Sequence, residues 1–205
     1  MRCCLALLHR GDCVDYALED VMALFDGLFL DTFNTCLVRG ESEPLYLPAD
    51  SDCPHHRVIF AHGYFASALH EMSHWCIAGA RRRELEDYGY WYLPDGRDAD
   101  QQRRFESVEV MPQAIEMLFA RACARRFAVS VDNLGDIEVD REAFSARVEL
   151  QAAEYEAQGL PPRAAAFRET LATFYRQGKS RTQAIEAGRR LLESRLAADV
   201  ITTPG

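Results

Sequence analysis

From Tyr16 to Phe33 the apolar residues Leu18, Val21, Met22, Leu24, Phe25, Leu28 and Phe29 return every three or four positions. That spacing lines one face of a helix, and it predicts a first amphipathic helix here. Residues 1–12 carry no such period and are expected to form a loose tail. PLYLPA (44–49) and RVIFAH (57–62) read as two extended segments, separated by a polar loop containing Pro54. A second helix is expected from Gly63 to Ala78, with Gly79 near its end. The aromatic run at 88–92 predicts a strand closed by a Pro-Asp-Gly turn. A third helix should cover much of 99–124, with Pro112 in its first turn or marking a break. FAVSV (127–131) reads as another short strand. Beyond Arg141, helical patterns interrupted by GLPPR (159–163) and RQGKS (176–180) predict three more helices, and TTPG a frayed end.

These elements predict an α+β fold: a helix-dominated single domain with a small sheet beside the helix that carries HEMSH. The expected organisation is a loose tail over 1–12, the main domain over 13–178 and a C-terminal helical extension over 179–205. A chain of 205 residues with 48% hydrophobic positions suits one domain with a sizeable core. No run approaches the roughly 18 apolar residues of a membrane span, and CCLALL is too short for a secretory signal. Neither membrane association nor direct nucleic-acid binding is expected, the latter because the net charge is −9. The local basic clusters Arg81-Arg82-Arg83, Arg103-Arg104 and Arg125-Arg126 read as solvated helix ends. Seven cysteines, odd in number and without a CxxC pair, argue against a disulfide framework and for the cytoplasm.

The chemistry concentrates in FASALHEMSHWCIAG, residues 65–79. Positions i and i+4 of a helix lie almost above one another, so His70 and His74 can aim their imidazoles at one point. Phe65, Leu69, Met72 and Cys76 mark a neighbouring apolar face that would pin this helix into the core. Buried imidazoles without partners are costly, which favours a metal between them. Two histidines leave a divalent ion short of ligands. The nearest source of a third is RFESVEVMPQAIEMLFARA (103–121), where Glu109 is preferred and Glu106 is its main rival. Glu116 falls on the same strip two turns later and is expected to face solvent. His9, His55, His56 and His62 lie in the tail, in a loop or before the helix, and are weaker candidates.

EPLYLPAD, RVIFAHGYFASALHEMSHWCIAG, RRELEDYGYWYLPDGRDADQQ and FESVEVMPQA together resemble the bacterial elongation factor P hydroxylase family. The resemblance covers roughly residues 20–175. It implies a non-haem iron enzyme that uses Fe(II) and O2 to hydroxylate the β-lysylated lysine of elongation factor P, the expected partner. It also implies a 2-His-1-carboxylate site, carried here by His70, His74 and most plausibly Glu109, with Glu71 as the catalytic residue beside them. Such a triad leaves half the iron's positions for oxygen. An acidic and aromatic surround would suit a cationic side chain, and Glu106, Tyr64, Tyr90 and Asp98 are the expected substrate contacts, with Trp75 a further aromatic candidate. The alternative is a zinc-dependent HExxH metallopeptidase with Glu71 as general base; no third histidine follows the motif in HEMSHWCIAGA.

Overall fold

The computed structural model describes residues 16–89, 98–131 and 140–202. The chain order is α1 (Leu18–Phe33), β1 (Thr35–Arg39), β2 (Leu45–Leu47), β3 (His56–Phe60), α2 (Phe65–Ile77), α3 (Ala99–Ala122), α4 (Arg141–Gln158), α5 (Pro162–Leu171) and α6 (Arg181–Thr202). Helices dominate, and the three strands form one sheet in the order β1-β3-β2. β3 is central. It runs parallel to β1, with Leu37 opposite Val58, and antiparallel to β2, with Tyr46 opposite Val58. Alternation turns Val58 and Phe60 into the core, where Leu37 and Tyr46 are also buried.

The predicted stripe on α1 is the one that packs: Val21, Leu24, Phe25, Leu28 and Phe29 are buried. Phe25 and Phe29 meet Trp75 of α2 at ring-centroid distances of 5.2 and 4.7 Å, and Phe167 of α5 meets both Phe25 and Phe119 of α3. One aromatic cluster thus joins four helices, and it fixes α2 from behind.

Sequence and structure part company in four places. β1 went unforeseen, because TCLVR is short and only Leu37 is a large, fully buried side chain. No strand forms at 127–131. There the amide of Gln113 donates to the Ser130 carbonyl (2.7 Å) and accepts from its N–H (3.0 Å), taking the place of a neighbouring strand. The strand expected at 88–92 gives way at its start to a tight helical turn, Glu86–Gly89, and the remainder lies outside the described residues. Pro112 neither starts nor breaks its helix; α3 continues through it from Ala99 to Ala122, losing only the hydrogen bond that a proline cannot donate. The three helices expected after Arg141 are present, α5 running on into a wider π-type turn at Ala172–Arg176.

α6 lies across α1 and α5 at close range. Arg189 donates to the Gly27 carbonyl (2.7 Å), Arg181 pairs with Asp20 (2.6 Å), and Ala184 and Leu192 are buried. A Cβ on Gly188 would collide with the Thr170 hydroxyl and sit 2.9 Å from the Ala166 carbonyl oxygen. Alanine normally favours a helix over glycine by about 1 kcal/mol. Here the crowding reverses that sign: Gly188→Ala is expected to destabilise by about 1–3 kcal/mol in urea unfolding.

Candidate metal centre

The metal-bearing helix is aimed by its entry turn. β3 ends at Phe60, and α2 begins five residues later at Phe65. Two consecutive left-handed residues, His62 (φ 54°) and Gly63 (φ 66°), reverse the chain between them. Gly63 takes its left-handed φ without the strain a side chain would bring, and a Cβ there would displace the Arg39 guanidinium, which lies 2.6 Å from that position. Ser67 then ties the turn down by accepting the Ala61 N–H at 3.0 Å. At the other end, Arg163 and Arg83 donate to the last carbonyls of the helix, including Ala78. Met72, Trp75 and Cys76 face the core, which leaves His70 and His74 toward α3.

α3 answers with a polar strip at the same helical spacing: Glu109, Gln113 and Glu116. His74 Nε2 lies 3.2 Å from Glu109 Oε1, His70 Nε2 lies 3.6 Å from Glu109 Oε2, and the two Nε2 atoms are 3.2 Å apart. Donors about 2.1 Å from a metal stand about 3.0 Å apart in an octahedral arrangement and about 3.4 Å apart in a tetrahedral one. The observed triangle fits a single divalent ion. His70, His74 and Glu109 are the group among the described residues whose donor atoms gather closely enough to hold one.

The outer contacts support the same reading. His70 Nδ1 donates to Glu116 Oε2 at 2.9 Å, since a carboxylate can only accept. The lone pair of His70 is thereby directed through Nε2 into the triangle, the arrangement found behind metal-bound histidines. Gln113 donates to Glu109 Oε2 (3.2 Å), the oxygen that also faces His70, while holding Ser130, so the carboxylate is tied to α3 as well as to the histidines. Glu116 therefore does not face solvent, as its sequence context suggested. Its position seven residues after Glu109 was the available signal, outweighed by the usual exposure of glutamate. Gln113, between them, carried no signal beyond the same spacing.

Charge follows geometry. Burial opposes a positive His70, but the Glu116 hydrogen bond and the charges of Glu116, Glu109 and Glu71 outweigh it and raise the imidazole pKa well above its ordinary value. Burial likewise opposes a negative Glu109, yet His74, His70 and Gln113 hold its pKa down, at about 2. Burial raises the pKa of Glu71, with His70 and His74 pulling against it and the neighbouring glutamates adding to it. Three carboxylates around two imidazoles form a setting that a dication would stabilise.

Beside His74 a cavity of about 520 Å³ separates α2 from α3, walled by Ile77, Val108, Met111 and Pro112 and edged by Arg81 and Arg82. Against this geometry, the family model described as elongation factor P hydroxylase matches residues 24–185. The chain belongs to the elongation factor P hydroxylase family. A curated relative, the elongation factor P lysine hydroxylase of Haemophilus influenzae, is 46% identical over 162 residues, covering 79% of this chain and 91% of that protein. Every residue of the triangle and its outer contacts falls inside the stretch shared with the hydroxylase family.

The remaining expected site residues are dispersed. Glu106, the rival third ligand, pairs with Arg147 and accepts from Gln102 (3.4 Å), while Glu109, one turn on, occupies the triangle. Glu71 follows His70 on α2 and is half-buried. Tyr64 stands at the start of α2 with 66% of its surface exposed, about 9 Å along the helix axis from His70. Asp98 caps α3, accepting the Gln101 N–H at 2.8 Å, about 16 Å along that helix from Glu109. Tyr90 lies outside the described residues. Trp75 is fully buried in the aromatic cluster, on the core side of α2 rather than in a substrate site. Among the weaker histidines, His55 contacts the Asn34 side chain (2.6 Å) just before β3, and His56, the first residue of β3, accepts the Ala49 N–H (3.1 Å). No helix among the described residues is long and apolar enough to cross a membrane. Cys36, Cys53, Cys76 and Cys123 are free thiols.

Proposed function

We propose that this chain is an iron-dependent protein-lysine hydroxylase that adds a hydroxyl group to the β-lysylated lysine of elongation factor P, with Fe(II) as cofactor and O2 as co-substrate. The observation that carries the reading is the convergence of His70, His74 and Glu109 within 4.8 Å of one another, in a chain of this family. The assigned ligands are those three side chains. Iron held by these residues would supply the activation of O2 needed to attack an unactivated C–H bond; one oxygen atom would enter that bond, the other would leave as water, and an external reductant would supply the two further electrons.

The protein's own work is positioning. Glu116 keeps the proton of His70 on Nδ1 and presents Nε2. Gln113 fixes the plane of the Glu109 carboxylate. Glu71, close enough to the histidines to feel their charge, is assigned to proton handling at the edge of the site. The apolar wall formed by Ile77, Val108, Met111 and Pro112 leads to His74 and suits the methylene groups of a long side chain. Setting the correct carbon near the reactive centre is the main demand, because a C–H bond offers no charge to stabilise.

Metal analysis of anaerobically purified protein tests the cofactor. One iron per chain, together with addition of a single oxygen atom to lysylated elongation factor P in air with a two-electron reductant supplied, is the expected result. Tightly held zinc with peptide cleavage would favour the metallopeptidase chemistry instead. The outer carboxylate gives a second expectation. Glu116→Gln removes the charged acceptor behind His70 and is expected to weaken iron binding about 10–100-fold in a metal titration. Binding in the unaltered protein should tighten as pH rises from neutrality. His70 has a raised pKa without metal, so its bound proton competes with the ion and is displaced more readily at higher pH.

A further inference from the structure

Residues 127–131 alternate in burial: Phe127, Val129 and Val131 turn toward the core, while Ala128 and Ser130 are exposed. The last two are tied to α3 by side chains. The Ser130 N–H donates to Gln113 Oε1 (3.0 Å), and the Ser130 carbonyl accepts from Gln113 Nε2 (2.7 Å). Gln102 Nε2 donates to the Val131 carbonyl (3.2 Å). Both glutamines are buried, and they stand three helical turns apart on one face of α3. Each amide also donates to a glutamate one turn away, in the stretch between them: Gln113 to Glu109 Oε2 (3.2 Å) and Gln102 to Glu106 Oε1 (3.4 Å). The segment therefore meets α3 beside the turn that carries the third ligand of the triangle.

We propose that residues 127–131 form a strap coupled to the metal through Glu109, with Gln113 and Gln102 as the positioning residues that carry the coupling. The inference rests on the assignment of His70, His74 and Glu109 as ligands. Both hydrogens of the Gln113 amide are in use, one on the ligand carboxylate and one on the strap, and its oxygen takes the strap's N–H. Turned over, the amide would set its oxygen against two acceptors, so the docked strap permits one orientation. With the strap away, this buried amide is left with a donor and an acceptor unmet, and nothing keeps it aimed at Glu109. Water would also reach a carboxylate that is now buried. A metal that fixes Glu109 therefore favours the docked strap, and the docked strap favours the metal by the same factor. Gln102 contributes at a distance. It holds the strap from about 10 Å along α3 from Glu109, beyond direct contact with the triangle.

Hydrogen exchange and metal titration of the full-length protein, metal-free and loaded anaerobically with Fe(II), test the coupling without any substrate. Iron is expected to slow exchange of the Ser130 N–H at least about fivefold more than it slows the amides of β3, the lower end of ordinary coupling between two sites. Gln113→Leu should abolish that selective slowing and weaken Fe(II) binding about 10–100-fold. Gln102→Leu is the decisive variant: Fe(II) binding should weaken about fivefold although no ligand has lost a contact. Circular dichroism reports whether each variant is folded. Equal slowing of Ser130 and of β3 in the unaltered protein would overturn the coupling. So would a folded Gln102→Leu protein that binds Fe(II) as tightly as the unaltered one, since Gln113 would then act on Glu109 alone. Should a variant fail to fold, exchange in the unaltered protein with and without iron decides. A protein that binds iron without selective slowing loses the strap and keeps the proposed function; one that binds no iron loses the ligand assignment, and the coupling with it.

Discussion

His74→Ala is expected to leave a folded protein that no longer retains iron. The imidazole supplies one of the three donors of the triangle, 3.2 Å from both of the others. Loss of an outer partner of a ligand costs about 10–100-fold in metal affinity, and loss of a ligand itself should exceed the upper end of that range. His70→Ala and Glu109→Ala should behave in the same way. Glu106→Ala is the informative contrast. Its carboxylate pairs with Arg147, whose side chain is 47% exposed, and such pairs contribute about 1 kcal/mol or less. Iron retained by Glu106→Ala and lost by Glu109→Ala would assign the third ligand. Equal, mild losses from both would remove the assignment.

Arg163→Met is expected to cost about 2–4 kcal/mol of stability, through the carbonyl groups it leaves without a charged donor. Arg163 comes from the first turn of α5 and is only 8% exposed. Its guanidinium donates to the carbonyls of Cys76 (3.0 Å) and Ala78 (2.5 Å), and it lies 4.5 Å from the Trp75 ring centre. A cation at the C-terminal end of α2 meets the negative end of the helix dipole, and it also stacks on the aromatic cluster. Arg83 still serves the Ala78 carbonyl, so the effect should stop short of unfolding. Chemical denaturation with and without iron measures it. Because α2 carries both histidines, the loss should be larger in the iron-loaded protein than in the metal-free one. An unchanged midpoint would mean that the aromatic cluster alone fixes the end of the helix.

Arg163 illustrates what could not be read along the chain. Its role depends on a contact between residues 85 positions apart, and nothing in GLPPR distinguishes it from a solvated arginine. The features that were readable are local and periodic: the stripe on α1, the histidines one turn apart on α2, the helices after Arg141, and a carboxylate on α3 within reach of those histidines. Features decided by tertiary partners were misjudged. Glu116 was expected in solvent because glutamate usually is, and an imidazole across the helix pair draws it inward. FAVSV has the composition of a strand, yet side-chain amides of Gln113 and Gln102 satisfy its backbone at Ser130 and Val131. Trp75 is an aromatic candidate for a cationic side chain by residue type, but one position past His74 on a helix points about 100° away, and Trp75 is fully buried in the core. Asp98 was a plausible substrate contact until its capping box with Gln101 placed it at the far end of α3.

The most direct measurement is the intact mass of elongation factor P isolated from cells that contain this protein, that lack it, or that carry only its His74→Ala form. One additional oxygen atom is expected on the lysylated factor in the first case, and its absence in the other two. The same mass in all three would contradict it.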